Sequence, residues 1–179
     1  MQPEDPQPEE ASEARAPVDD ARLTATAYHE AGHAVMALLL GRDVHKVSVV
    51  PGKMQGGVRL GACEMRKGRV RSSKDALEDE VLILLAGMVA EARVTQDYCR
   101  QGARQDLMAV RRLLSLDRAH NARQLERLEQ RLLDKAEHLL GDAAASMAIR
   151  SIAGELLQHS TLSGRAVRHW LAQAQQQCQ

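Results

Sequence analysis

The chain has 179 residues and a formal net charge of zero, long enough for one domain with a core of its own and short for two. Aromatic residues are limited to Tyr28, Tyr98 and Trp170, so the core must come from Leu, Val, Ala, Met and Ile, which suits packed helices and argues against a β-sandwich. Cys63, Cys99 and Cys178 form no CxxC pair and are odd in number, which argues against a disulfide framework and for a reducing, cytoplasmic compartment.

Residues 1–20 hold seven acidic groups, one basic group and four of the five prolines, a net −6 that leaves +6 on the remainder. That composition predicts a disordered acidic leader, with residues 21–179 as the folded domain. An acidic leader is not a secretory signal. The most apolar run, VLILLAGMVA at 81–90, is about half of the ~20 residues a bilayer span needs. A soluble chain without a transmembrane segment is expected.

Thr24 or Thr26 is the expected cap of a helix through LTATAYHEAGHAVMALLL that stops at Gly41. Val44, Val47 and Val49, then Val58 and Leu60, predict two short strands, punctuated by Pro51-Gly52 and Gly56-Gly57. Residues 62–74 are basic and aperiodic and read as a loop or a third short strand. Ser73 precedes a helix, SKDALEDEVLILLAGMVAEARV, whose apolar density implies burial on most sides. After the connector TQDYCRQGARQ, Gly102 opens a helix carrying Leu107, Val110, Leu113 and Leu114. Further helices are expected at about 122–140, 143–159 and 163–175, followed by a frayed tail. The expected fold is mainly α (α+β): a helical bundle with a small β-sheet or hairpin beside the first helix.

That first helix contains His29-Glu30-Ala31-Gly32-His33, an HExxH motif. Histidines at i and i+4 lie one turn apart on one face, so both imidazoles can reach one ion at roughly 2.0–2.1 Å. The intervening glutamate points beside such an ion, where it can take a proton from water and deliver it to a leaving amine. The bare motif should arise in roughly 2 of 100 shuffled chains of this composition, so on its own it also fits two surface histidines on an ordinary helix. Gly32 costs a helix interior ~1 kcal/mol relative to Ala, which makes sense if something approaches the backbone closely. The helix also has few charges, and a buried histidine pair without a partner would be costly. A third ligand is wanted: Glu91, Asp97, Asp106 and the other five histidines (His45, His120, His138, His159, His169) are the candidates, with the histidines better read as solvated.

AYHEAGHAV followed by DVHKVSVVP resembles the peptidase domain of the FtsH family of AAA zinc metalloproteases. SKDALEDEVLILLAGMVAE, GARQDLMAVRRL and IAGELLQHSTLSGRAVRHWL are similar to that family's later helices, in the same order, over roughly residues 24–175. The resemblance implies a zinc metalloendopeptidase in which His29 and His33 bind Zn²⁺, Glu30 is the general base and Asp106 is the third metal ligand. Glu91 is then the runner-up ligand, or a partner that orients a histidine. An edge near Val58–Gly61 could hold an extended polypeptide substrate by main-chain hydrogen bonds, or be an ordinary hairpin turn.

Two departures qualify the resemblance. These residues contain no GxxxxGK[ST] phosphate loop and no membrane span, so ATP-driven unfolding is not expected on this chain alone. Either a separate AAA ATPase feeds it, or it cuts segments that are already flexible; a homo-oligomer is compatible with both. The connector before Asp106 also differs from the family's G-x-x-T-T-G-A-S-N. A catalytically inactive, zinc-containing peptide-binding adaptor is the competing function, although retention of Glu30 favours the enzyme. Nucleic-acid binding through Arg59, Arg66, Lys67, Arg69, Arg71 and Lys74 has no aromatic platform to support it, and none is expected.

Overall fold

The computed structural model describes residues 17–54, 57–65, 75–117 and 121–178. In chain order these form α1 (Pro17–Leu39), β1 (Val44–Ser48), β2 (Gly52–Met54), β3 (Gly57–Arg59), β4 (Ala62–Met65), α2 (Ala76–Thr95), α3 (Arg104–Asp117), α4 (Ala122–Gly141), α5 (Ala143–His159), β5 (Thr161–Ser163) and α6 (Gly164–Gln177). The fold is mainly α with a small antiparallel sheet, as composition predicts. Residues 1–16 of the expected leader, the basic run 66–74 and His120 lie outside the described residues, whereas residues 17–20 already belong to α1.

The start of α1 corrects the expected cap. Thr24 and Thr26 sit inside the helix, and their hydroxyls donate to the carbonyls of Asp20 (2.8 Å) and Arg22 (2.9 Å) one turn back. This is the other bond a helical threonine makes, and sequence alone does not separate it from capping. At the far end Gly41 takes φ 74°, and Arg42 N–H reaches the Ala37 carbonyl at 2.8 Å, closing the helix at the expected glycine. Asp75 caps α2 by accepting from Glu78 N–H.

The three-stranded sheet has the order β4-β1-β5, all antiparallel, with Val47 facing Cys63 on one side and Leu162 on the other. On one side β1 pairs with β4, from the segment that reads as a loop or a third short strand, while the expected strand around Val58 pairs, among the described residues, with β2 alone. β5 was not expected. Three residues between two helices carry too little period to register, although Leu162 is buried and Thr161–Ser163 completes the sheet. The tail is also more ordered than expected, since α6 runs to Gln177 with Ala174 buried.

One apolar core joins α1, α2, α5 and the sheet, and α1 packs most extensively on α2. From Glu30 to Ala37 every residue of α1 is buried. With no Phe to space the helices, small side chains let the backbones close up. At Gly32 an added Cβ would lie 2.5 Å from the Ala86 carbonyl oxygen and 2.6 Å from the Ala90 Cβ. The close approach that the sequence suggests at this glycine is therefore α2 itself.

Gly32→Ala should destabilise the metal-free protein by about 1–3 kcal/mol in urea unfolding, despite the ~1 kcal/mol that alanine gains in helix propensity. A neutral or stabilising outcome would mean that α1 and α2 are not in contact there.

Candidate metal centre

His29 and His33 project from α1 toward α2, and Asp106 reaches them from the first turn of α3. Oδ2 of Asp106 is 3.0 Å from His29 Nε2 and 3.4 Å from His33 Nε2. Among the described residues this is the single group of three or more His, Cys, Asp or Glu side chains whose ligand atoms all lie within 4.8 Å of one another. Bonds of 2.0–2.1 Å in a tetrahedron put neighbouring ligand atoms about 3.3 Å apart, so the spacing fits one small cation.

The opposite ring nitrogens are fixed as well. His29 Nδ1 donates to Glu91 Oε2 at 2.9 Å, and His33 Nδ1 donates to the Ile83 carbonyl at 2.7 Å. Both bonds aim the Nε2 atoms at the shared space. Glu91, the runner-up ligand, thus sits behind His29 rather than beside the ion position. Asp97 is exposed away from this cluster, as are His45, His138, His159 and His169.

Sequence reasoning missed Gly87. A Cβ there would stand 2.6 Å from Nε2 of both histidines, so only glycine leaves the imidazoles and a cation between them room. The signal was present: a lone glycine within the apolar run of α2, where it weakens a helix. The Ile83 carbonyl leaves no trace in side-chain identity and could not have been found.

Glu30 is buried against the approach to β4, with its Oε1 2.6 Å from where a Cβ of Gly61 would be. It lines a cleft of about 690 Å³ together with the histidines, Asp106, Gly61, Cys63 and Met65. The edge beside Glu30 runs from Leu60 and Gly61, the end of the expected Val58–Gly61 stretch, into β4.

Electrostatics favours a cation. Burial alone would depress the His29 imidazolium, but hydrogen bonds to Asp106 and Glu91, together with the charges of Asp106 and Glu30, raise it to about 10. Burial likewise opposes ionisation of Asp106, and its contacts with His29 and His33 overturn this, holding the carboxyl well below the usual range. Three carboxylates around two imidazoles call for positive charge, which a proton on His29 supplies in the absence of a metal. Burial, then the Glu30 and Glu64 carboxylates, push the Cys63 thiol up. It faces the cleft as a neutral thiol, a poor competitor for a metal.

The model of peptidase family M41 matches residues 16–116, a span that includes His29, Glu30, His33, Glu91 and Asp106. Among curated relatives, the ATP-dependent zinc metalloprotease FtsH of Protochlamydia amoebophila is 37% identical over 94 residues, covering 50% of this chain and 10% of that protein. The chloroplastic ATP-dependent zinc metalloprotease FTSH of Medicago sativa is 36% identical over 99 residues (54% and 14%). FtsH 1 of a Thermoanaerobacter species, which bears the same description, is 41% identical over 83 residues (45% and 13%). The aligned part of the chain thus spans between a tenth and a seventh of the length of these relatives.

His29 is held above the 6.5 of an ordinary histidine, so its proton stabilises the metal-free fold fully below that pH, and the contribution is lost as pH rises toward 10. Urea unfolding of metal-free protein should lose up to about 1.4 kcal/mol per pH unit between roughly pH 6.5 and 8.5, a window below the titration of Cys63. His29→Gln should flatten that slope. An unchanged slope in the variant would assign the titration to another group.

Proposed function

This chain belongs to peptidase family M41, and from that premise we propose that it is a zinc metalloendopeptidase in which His29, His33 and Asp106 hold the ion and Glu30 is the general base. The observation that carries this reading is the convergence of two Nε2 atoms and one carboxylate oxygen in a cleft that the Glu30 carboxylate also lines. A bound zinc ion supplies Lewis acidity, polarising a carbonyl and lowering the pKa of water. The relatives' description as zinc metalloproteases favours zinc over other cations of similar size.

The chain's own residues supply the rest. Glu30 takes the proton of the attacking water and passes it to the departing amine. Glu91 and the Ile83 carbonyl hold both imidazoles in the tautomer whose Nε2 lone pair faces the ion. Among the described residues β4 pairs only with β1, so its other edge offers main-chain groups to an extended polypeptide in the cleft. Such binding reads backbone rather than side chains, which suits flexible or unfolded segments. Hydrolysis needs no nucleotide, so cleavage of such segments is ATP-independent on this chain, and the three free thiols suit the cytoplasm. A second reading is a peptide-binding partner of a separate AAA unfoldase, favoured by the relatives' description as ATP-dependent.

Zinc-loaded protein should cleave an unfolded substrate such as casein. Glu30→Gln should lower that rate by about 10²–10⁴ while zinc stays bound. Zinc binding without cleavage by the unaltered chain would favour the partner reading. Equal cleavage by Glu30→Gln would contradict the role given to Glu30.

A further inference from the structure

Asp106 is the one member of the proposed ligand set that does not sit on α1, so the set closes only if α3 is placed correctly. Leu107, Val110 and Leu114 bury one face of α3. Apolar burial is not directional, however, and leaves the advance and rotation of a helix loosely specified. The polar restraints on α3 and on the connector that feeds it converge on α4. Glu129, 7% exposed, accepts from Arg111 Nε at 2.9 Å and faces Arg100 Nη1 at 3.7 Å. Two turns further along α4, Glu137 accepts from the Tyr98 hydroxyl, and its carbonyl accepts from Arg93 at the end of α2.

These tethers involve the part of the chain that departs from the FtsH pattern. Tyr98 and Arg100 belong to the altered connector, and Arg111 lies little more than one turn beyond Asp106 on α3. A carboxylate as buried as Glu129 is costly unless paired, and an apolar residue there would pack without that cost. Its pairing ties α3 and the connector to one register against α4.

We propose that Glu129, through Arg111 and Arg100 and supported by the Tyr98–Glu137 contact, is a positioning residue that sets Asp106 against His29 and His33. The inference rests on the metallopeptidase reading, because it concerns the third ligand of that site. Side chains hydrogen-bonded directly to a metal ligand typically change metal affinity 10–100-fold when removed, and Glu129, which acts one step further back, is expected at the lower end of that range.

The test is zinc affinity of the full metal-free chain, measured by competition with a chelating dye. It compares the unaltered protein, Glu129→Gln, Tyr98→Phe and Asp106→Ala, and each of the first two changes combined with Asp106→Ala. Glu129→Gln should weaken zinc about 10-fold, Tyr98→Phe should weaken it less, and both effects should disappear in the Asp106→Ala background. The visible spectrum of the cobalt-substituted protein should shift in Glu129→Gln. Unchanged affinity in a folded Glu129→Gln variant, or an equal effect with and without Asp106, would overturn the proposal. If Glu129→Gln does not fold, Tyr98→Phe, which leaves the buried carboxylate intact, carries the same two outcomes. Absence of zinc binding by the unaltered chain would overturn the metallopeptidase reading and this inference with it, a result distinct from zinc binding that ignores α4.

Discussion

The separation between α1 and α2 governs the rest of the molecule. Gly32 brings the α1 backbone against Ala86 and Ala90, and Gly87 on the opposing helix leaves its own Cβ position to the two imidazoles. With larger side chains at these places the helices would part, and the Ile83 carbonyl and Glu91 carboxylate would no longer reach the Nδ1 atoms. The same short distance that buries Ala31, Ala34 and Val35 therefore aims His29 and His33. Core packing and the proposed metal site share one set of small residues.

Charge completes what packing begins. Buried carboxylates are costly unless something positive answers them, and here Glu91 and Asp106 both face His29. Without a metal the imidazole holds a proton well above its ordinary range. A divalent cation would answer the same carboxylates and leave the imidazole neutral, as ligation requires. The neutral Cys63 thiol, by contrast, brings no negative charge to the cleft.

Much of this was legible in the sequence because helices advertise themselves. The long amphipathic period of α4 gives its bounds within a residue, and HExxH fixes its own geometry once α1 is helical. Asp106 was different. Seventy-seven residues separate it from His29, and only the order of motifs shared with a known family singled it out from Glu91 and Asp97. The sheet was hardest to read, because β4 and β5 are four and three residues long and their pairing with β1 is tertiary. The Thr24 and Thr26 hydroxyls had two partners to choose between, and the longer helix prevailed.

The central claim is that one cation sits between α1 and α3, bound by nitrogen and oxygen. X-ray absorption at the zinc edge on the purified, zinc-loaded chain tests it most directly. The account predicts one zinc per chain, with two imidazole nitrogens and carboxylate or water oxygens at about 2.0–2.2 Å and no sulfur shell. A sulfur scatterer at about 2.3 Å would place the metal on a cysteine (Cys63, Cys99 or Cys178) instead and contradict the site.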